Sequence, residues 1–264
     1  MAYYKVKLDT WDLENYAWRL ATIPVITHAA QNRDRYSIPY RDGEIDSADE
    51  WRGNAYITCS FMSKVGTNEF SASYAGDTMD ARINRLYRLL NGKHFLHILI
   101  QNCATLTNWD EAGYYEIIGY VITNETRMSR NFAKVEVQFE VYPYKFLENA
   151  LTPVTSLRVT NAHDIAMPYY SVGATASGAT VTFTVNGNAI TVQCPNDTDG
   201  VFVDTRIQMA FTASQEQGYL YNKVEIPATG DFTKLRLPAD STSTIALGTN
   251  CRTVITYPRW GYRI

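Results

Sequence analysis

The stretch FAKVEVQFEVY, residues 132–142, alternates almost without fault. Val135, Val137, Phe139 and Val141 fall on one side of an extended chain, and Lys134, Glu136, Gln138 and Glu140 on the other. A period of two over that length specifies a strand with one face in a core and the other in water or against a neighbour. A strand of this kind needs partners, and the sequence supplies them in AYITCSF (55–61), FLHILIQ (95–101) and YYEIIGYVI (114–122).

One helix interrupts them. In GDTMDARINRLYRLLNGK, Met79, Ile83, Leu86, Tyr87 and Leu90 recur at helical spacing, with Arg82, Arg85 and Arg88 expected on the opposite, solvated side. Asp77 or Thr78 is placed to cap its start, and Gly92 follows its end, where a left-handed residue is wanted.

PYKFLENALTPVTS breaks the pattern with two prolines and a polar run, so residues 147–156 are expected to separate a first domain (1–150) from a second (151–264). The texture beyond is all short strands. ATVTFTVNGNAITVQC reads as a hairpin turning at Asn186-Gly187, and GVFVDTR, GYLYNKVEI, STIALG and CRTVITYP follow at the spacing of a β-sandwich.

Charge and cysteine content exclude several function classes. The net charge is −3, and residues 151–264 hold as many basic as acidic groups, so neither half carries the clustered positive face of a phosphate-gripping protein. Passage of DNA through a neutral or acidic channel stays compatible with that balance. Cys59, Cys103, Cys194 and Cys251 form no CxxC pair, and each lies in or beside an apolar run, as free buried thiols do. The N-terminal MAYYKVKLDTWDLENYAW lacks the layout of a signal peptide, and no segment approaches eighteen uninterrupted apolar residues, so synthesis in a reducing cytoplasm and no membrane span are expected.

The search for chemistry yields little. Asp42, Glu44, Asp46, Asp49 and Glu50 crowd one segment, but counting from Asp42 the calcium-loop template meets Ser47 where it needs glycine and Gly53 where it needs a carboxylate. PNDTDGVF fails the same template. No pair among the acids is set apart as a hydrolytic acid and base, and the segment reads as an Asp42-Gly43 turn followed by a solvated loop. His94 and His97 stand at odd spacing on a predicted strand and point to opposite faces, which prevents a shared metal. There is no G-x-S-x-G elbow and no phosphate-cradling glycine motif. No enzyme, cofactor or metal is implied.

The order of these pieces resembles the distal tail (baseplate hub) proteins of siphophages, which have long non-contractile tails. The resemblance starts at IPYRDGEID, with Tyr40, Arg41, Asp42 and Gly43 as the motif loop, although Tyr40 stands where that family often has glycine. It continues through ARINRLYRLLNG and VEVQFEVYPYKF, then PYYSVGA, ITVQC, VFVDTR, YLYNKVEI, ALGTN and TVITYPRWGY, nearly the whole chain. It implies a mainly β protein with one amphipathic helix. The N-terminal domain would be a β-sandwich or split barrel that closes a hexameric ring, and the C-terminal domain a galectin-like β-sandwich. It further implies a structural role in the virion: a ring of this chain joining the tail-tube protein to the hub or fibre protein and the receptor-binding apparatus, with a central channel for DNA and no sequence-specific nucleic-acid contact. The C-terminal half has no room for an inserted carbohydrate module or a long arm. Nineteen tyrosines suit such interfaces, because the ring packs while the hydroxyl stays wet. A competing expectation is a carbohydrate-binding module using exposed aromatics at Tyr169, Tyr170, Tyr219, Tyr221 or Trp260. A hydrolase built on the acidic segment is the third.

Overall fold

The computed structural model describes residues 4–28, 31–37, 44–66, 74, 76–101, 109–163, 165–195, 200–216 and 219–263. The chain divides into two compact units between Lys145 and Phe146. Residues 148–151 of the expected linker form a short 3-10 helix, and Val154 bridges to Thr256, both within the second unit.

The first unit contains β1 (Tyr4–Leu8), β2 (Trp11–Asp12), β3 (Arg19–Leu20), β4 (Val25–Thr27), β5 (Gln31–Ser37), β6 (Glu44–Arg52), β7 (Ala55–Lys64), α1 (Met79–Leu90), β8 (Phe95–Gln101), β9 (Trp109–Ser129) and β10 (Phe132–Val141). Strand β11 (Tyr144–Phe146) spans the division. β10 lies between β7 and β9, all antiparallel, and β3 and β4 add to the far edge of β7. β9 is long enough to serve two ladders: its first part pairs with β8, which in turn pairs with β1, and its second part pairs with β10.

The alternation of 132–142 is realised directly. Val135, Val137, Phe139 and Val141 are fully buried, and they join Ile57, Cys59 and Phe61 of β7 in one core cluster. α1 completes that cluster with Met79, Ile83, Leu86, Leu89 and Leu90. The Thr78 hydroxyl caps the helix by accepting from the Ala81 amide at 3.3 Å, and Gly92 takes the positive φ of +68° that ends it.

Two expectations are corrected here. Arg82 is not on the solvated side of α1. It is fully buried, donating through Nη1 to the Lys64 carbonyl (2.8 Å) and Ser63 Oγ (3.1 Å) and through Nη2 to the Tyr74 carbonyl (2.6 Å). Those acceptors compensate the desolvation that would otherwise keep a guanidinium in water. The acidic segment after Gly43 is not a loop either. Residues 44–52 form β6, antiparallel to β5, with Asp46 at the register position of Arg35. Backbone pairing with a segment that itself shows no apolar alternation outweighs the weak strand signal of the acids.

The second unit contains β12 (Arg158–Asn161), β13 (Ile165–Ala166), β14 (Tyr169–Ala174), β15 (Thr180–Val185), β16 (Asn188–Gln193), β17 (Gly200–Asp204), β18 (Met209–Glu216), β19 (Tyr219–Glu225), β20 (Ala228–Gly230), β21 (Ser241–Leu247), β22 (Cys251–Tyr257) and β23 (Trp260–Arg263). They make two five-stranded sheets, β12-β21-β15-β16-β20 and β19-β18-β17-β14-β22, beside the short β13–β23 pair. The β15–β16 hairpin turns at Asn186 and Gly187, with φ of 51° and 81°, as its sequence predicts. Phe183 of one sheet meets Tyr170 of the other at 5.4 Å between ring centroids, with Val181, Val192, Val203 and Val254 also buried. The architecture is mainly β, and α1 is the only α-helix among the described residues.

Candidate functional site

The first unit exposes one face of its sheet. Val121 of β9, Gln138 of β10, Thr58 of β7 and Val25 of β4 share a register row, so their side chains emerge on the same side. Val121 and Val25 are each 61 % exposed, and Tyr56, one row along opposite Glu140, is 39 % exposed. A bulge in the β9–β10 ladder adds Ile118 to this set of exposed apolar residues. The adjacent row (Tyr120, Phe139, Ile57, Ile26) packs into the core. The sheet is therefore dry on one side and carries water-exposed apolar side chains among polar ones on the other. Beside it, β5 and β6 pair only with each other among the described residues. A two-stranded ribbon is marginal in water without further packing.

The far end of the β9–β10 hairpin is tied to α1 by polar contacts. Arg127 reaches Asp80 at 2.6 Å and Glu125 at 3.3 Å, and the Tyr87 hydroxyl donates to Glu125. Burial and the Glu125 bond push the Tyr87 phenol up to about 12, so it stays a donor at every physiological pH.

The second unit is organised around a buried ion pair. Arg259 donates to Asp204 through two parallel bonds of 2.8 Å, and Asp204 is completely inaccessible to solvent. The Arg206 amide adds a bond to the same carboxylate at 2.9 Å. Burial alone raises the Asp204 carboxyl. The charge and hydrogen bonds of Arg259, helped by Arg206, more than reverse this and hold it at about 2. The Arg259 guanidinium also lies 4.8 Å from the centre of the Tyr169 ring, which stacks on Tyr257 at 4.4 Å. Gln215 closes the cluster, donating to the Tyr169 hydroxyl at 2.9 Å and accepting from that of Tyr257 at 3.1 Å. Arg259 adopts a φ of 51°, which a bulky residue takes only when its surroundings over-determine it. Three separate segments, PYYSVGA, VFVDTR and TVITYPRWGY, thus meet at one point.

This arrangement corrects the expected aromatic platforms. Tyr169 and Tyr170 are fully buried, because Tyr169 is sandwiched by Tyr257 and Arg259, and Tyr170 crosses the sandwich core and donates to the Leu235 carbonyl at 2.6 Å. Trp260 is buried too, its ring 5.8 Å from that of His163. The side chains of Tyr219 and Tyr221, like the whole Tyr40, Arg41, Asp42 and Gly43 loop, lie outside the described residues. His94 precedes β8 and gives its backbone amide to Asp9 Oδ1 at 3.0 Å, whereas His97 lies within the strand. Among the described residues no cluster of three or more His, Cys, Asp or Glu is arranged to hold a metal.

No protein-family model matches this sequence, and no curated protein matches it. Several solved structures match, including the following two along nearly the whole chain. The crystal structure of SPP1 Dit, described as a paradigm of the hub adsorption apparatus in phages infecting Gram-positive hosts, superposes with a TM-score of 0.53 at 16 % identity, over 96 % of this chain and 97 % of that one. This chain has the Dit fold. The phage P2 baseplate in its activated conformation with Ca gives a TM-score of 0.50 at 11 % identity, covering 97 % of both chains. The match to SPP1 Dit covers residues of both units, so the mainly β architecture expected from the sequence is that of SPP1 Dit.

Proposed function

We propose that this protein is a structural component of a phage tail tip. Copies of it associate through their first units into a ring, expected to be a hexamer, that joins the tail tube to the hub or fibre and receptor-binding apparatus and leaves a channel for DNA. The observation that carries this reading is the half-dry sheet: Val25 and Val121 stand exposed in one row, next to a ribbon that finds no partner strand among the described residues of its own chain. A closed cyclic oligomer buries such surfaces without leaving an edge. Whole-length likeness to SPP1 Dit supports the same conclusion. The carbohydrate-binding alternative loses Tyr169, Tyr170 and Trp260 as sugar platforms, since sugar stacking needs an open ring face.

Light scattering coupled to gel filtration, with negative-stain imaging of the same fractions, tests the proposal. Rings are expected, and Val25→Glu with Val121→Glu is expected to disperse them into folded single chains. A wild-type chain that stays monomeric at every concentration, even with tail-tube and hub proteins added, overturns it.

A further inference from the structure

Cys194 and Cys251 are both free and both buried in the second unit. Cys251 begins β22 at the register position of Ala174, the last residue of β14. From there the chain crosses to β15 of the other sheet through residues 175–179, and that short crossing is hydrogen-bonded at each end. The Thr175 amide donates to the Asn250 carbonyl at 2.9 Å, the Ala179 carbonyl accepts from the Cys194 amide at 3.0 Å, and the Gly178 amide donates to the Pro195 carbonyl at 3.3 Å. Cys194, just past the end of β16 in one sheet, and Cys251, at the start of β22 in the other, thus flank a single crossing. Their side chains are 5 % and 9 % exposed, whereas Cys59 in the first unit is wholly enclosed. Burial raises both thiols, and Cys251 is raised further by the charge of the neighbouring Cys194.

We propose that Cys194 and Cys251 are a latent redox pair that closes to a reversible disulfide, stapling the two sheets of the second unit when the protein meets an oxidising solution. With a low-molecular-weight disulfide such as oxidised glutathione as oxidant, one cysteine gives its proton to solvent and its thiolate attacks a glutathione sulfur, expelling one glutathione thiolate. The second cysteine, deprotonated in turn, attacks the mixed disulfide and expels the other. Two protein thiols are oxidised and one glutathione disulfide is reduced to two thiols. Because both thiols are raised above their ordinary value, closure is slow near neutrality and accelerates as pH rises toward 9. The staple spans on the order of fifty residues, and a loop of that length is expected to lift the melting temperature of the second unit by roughly ten degrees. Nothing in this chemistry depends on assembly into a ring.

The test is to incubate the full-length protein with oxidised glutathione at pH 8.5 and map its peptides without reduction. The expected product is one cross-link, joining the tryptic peptide that ends at Arg206 to the one that ends at Arg252, with two thiols remaining to Ellman's reagent in guanidinium. Cys194→Ser and Cys251→Ser each abolish the link; should either fail to fold, the wild-type peptide map stands alone. Four remaining thiols, a persistent glutathione adduct, or a link involving Cys59 or Cys103 overturns the proposal.

Discussion

Among the described residues each unit buries one arginine, and the two are kept soluble in protein by different means. Arg82 in the first unit is bonded by neutral groups, the Lys64 and Tyr74 carbonyls and the Ser63 hydroxyl, while its own carbonyl accepts from the Trp18 indole at 3.2 Å. Arg259 in the second unit faces a buried carboxylate with two matched bonds. Dipoles spread over several backbone segments serve as a clamp, fastening β7, α1 and the turn at Tyr74. A counter-charge serves as a keystone where three segments meet, and it makes Asp204 and Arg259 dependent on each other.

That contrast sets the order of expected effects. Removing the guanidinium by Arg259→Met strands Asp204 in the interior, and urea unfolding is expected to show a loss of about 3–5 kcal/mol at pH 7. Without Arg259, burial outweighs what Arg206 still supplies and raises the Asp204 carboxyl above its unfolded value. The deficit should therefore begin to shrink as pH falls through that raised value, above about 4, and shrink further below about 4 as the wild type loses its own Asp204 contribution. A loss under 1 kcal/mol, or one indifferent to acid, would break the keystone picture. In the wild type, Asp204 is held at about 2 against an ordinary 3.8. Its contribution of about 2–3 kcal/mol is complete above roughly pH 4 and disappears as pH falls toward 2, visible as an acid limb in thermal melts of the second unit. Arg82→Met leaves neutral acceptors unpaired and is expected to cost about 1–3 kcal/mol, with no pH dependence between 4 and 8. Smallest of all, Thr78→Ala removes the cap of the helix that carries Arg82 and should cost about 1 kcal/mol by urea titration.

The sequence showed the local half of this picture. Period-two alternation at 132–141 and the Asn186-Gly187 turn each encode their structure in contiguous residues, so they were legible, as was α1 with its Thr78 cap. Arg82 was not, because a charged residue beside Ile83 looks like the border of an apolar stripe until the acceptors on β7 are in place. The β5–β6 ribbon was missed for a related reason: QNRDRYS has no hydrophobic alternation, and its strand character comes from pairing. Asp204 and Arg259 lie far apart in the chain, and no spacing rule links them. The aromatic platforms failed because Tyr169 and Tyr170, at a strand start, look the same in sequence whether open or covered. The exposed row of Val25, Thr58 and Val121 needed register before it could be seen.

On its exposed side, the outer reach of the β9–β10 hairpin is moored to α1 by the polar contacts of Arg127, Asp80, Glu125 and Tyr87. Such a mooring yields to ionic strength before it yields to heat. Raising the salt concentration is therefore expected to loosen the hairpin tip from α1 while Val137 and Phe139 stay packed in the core.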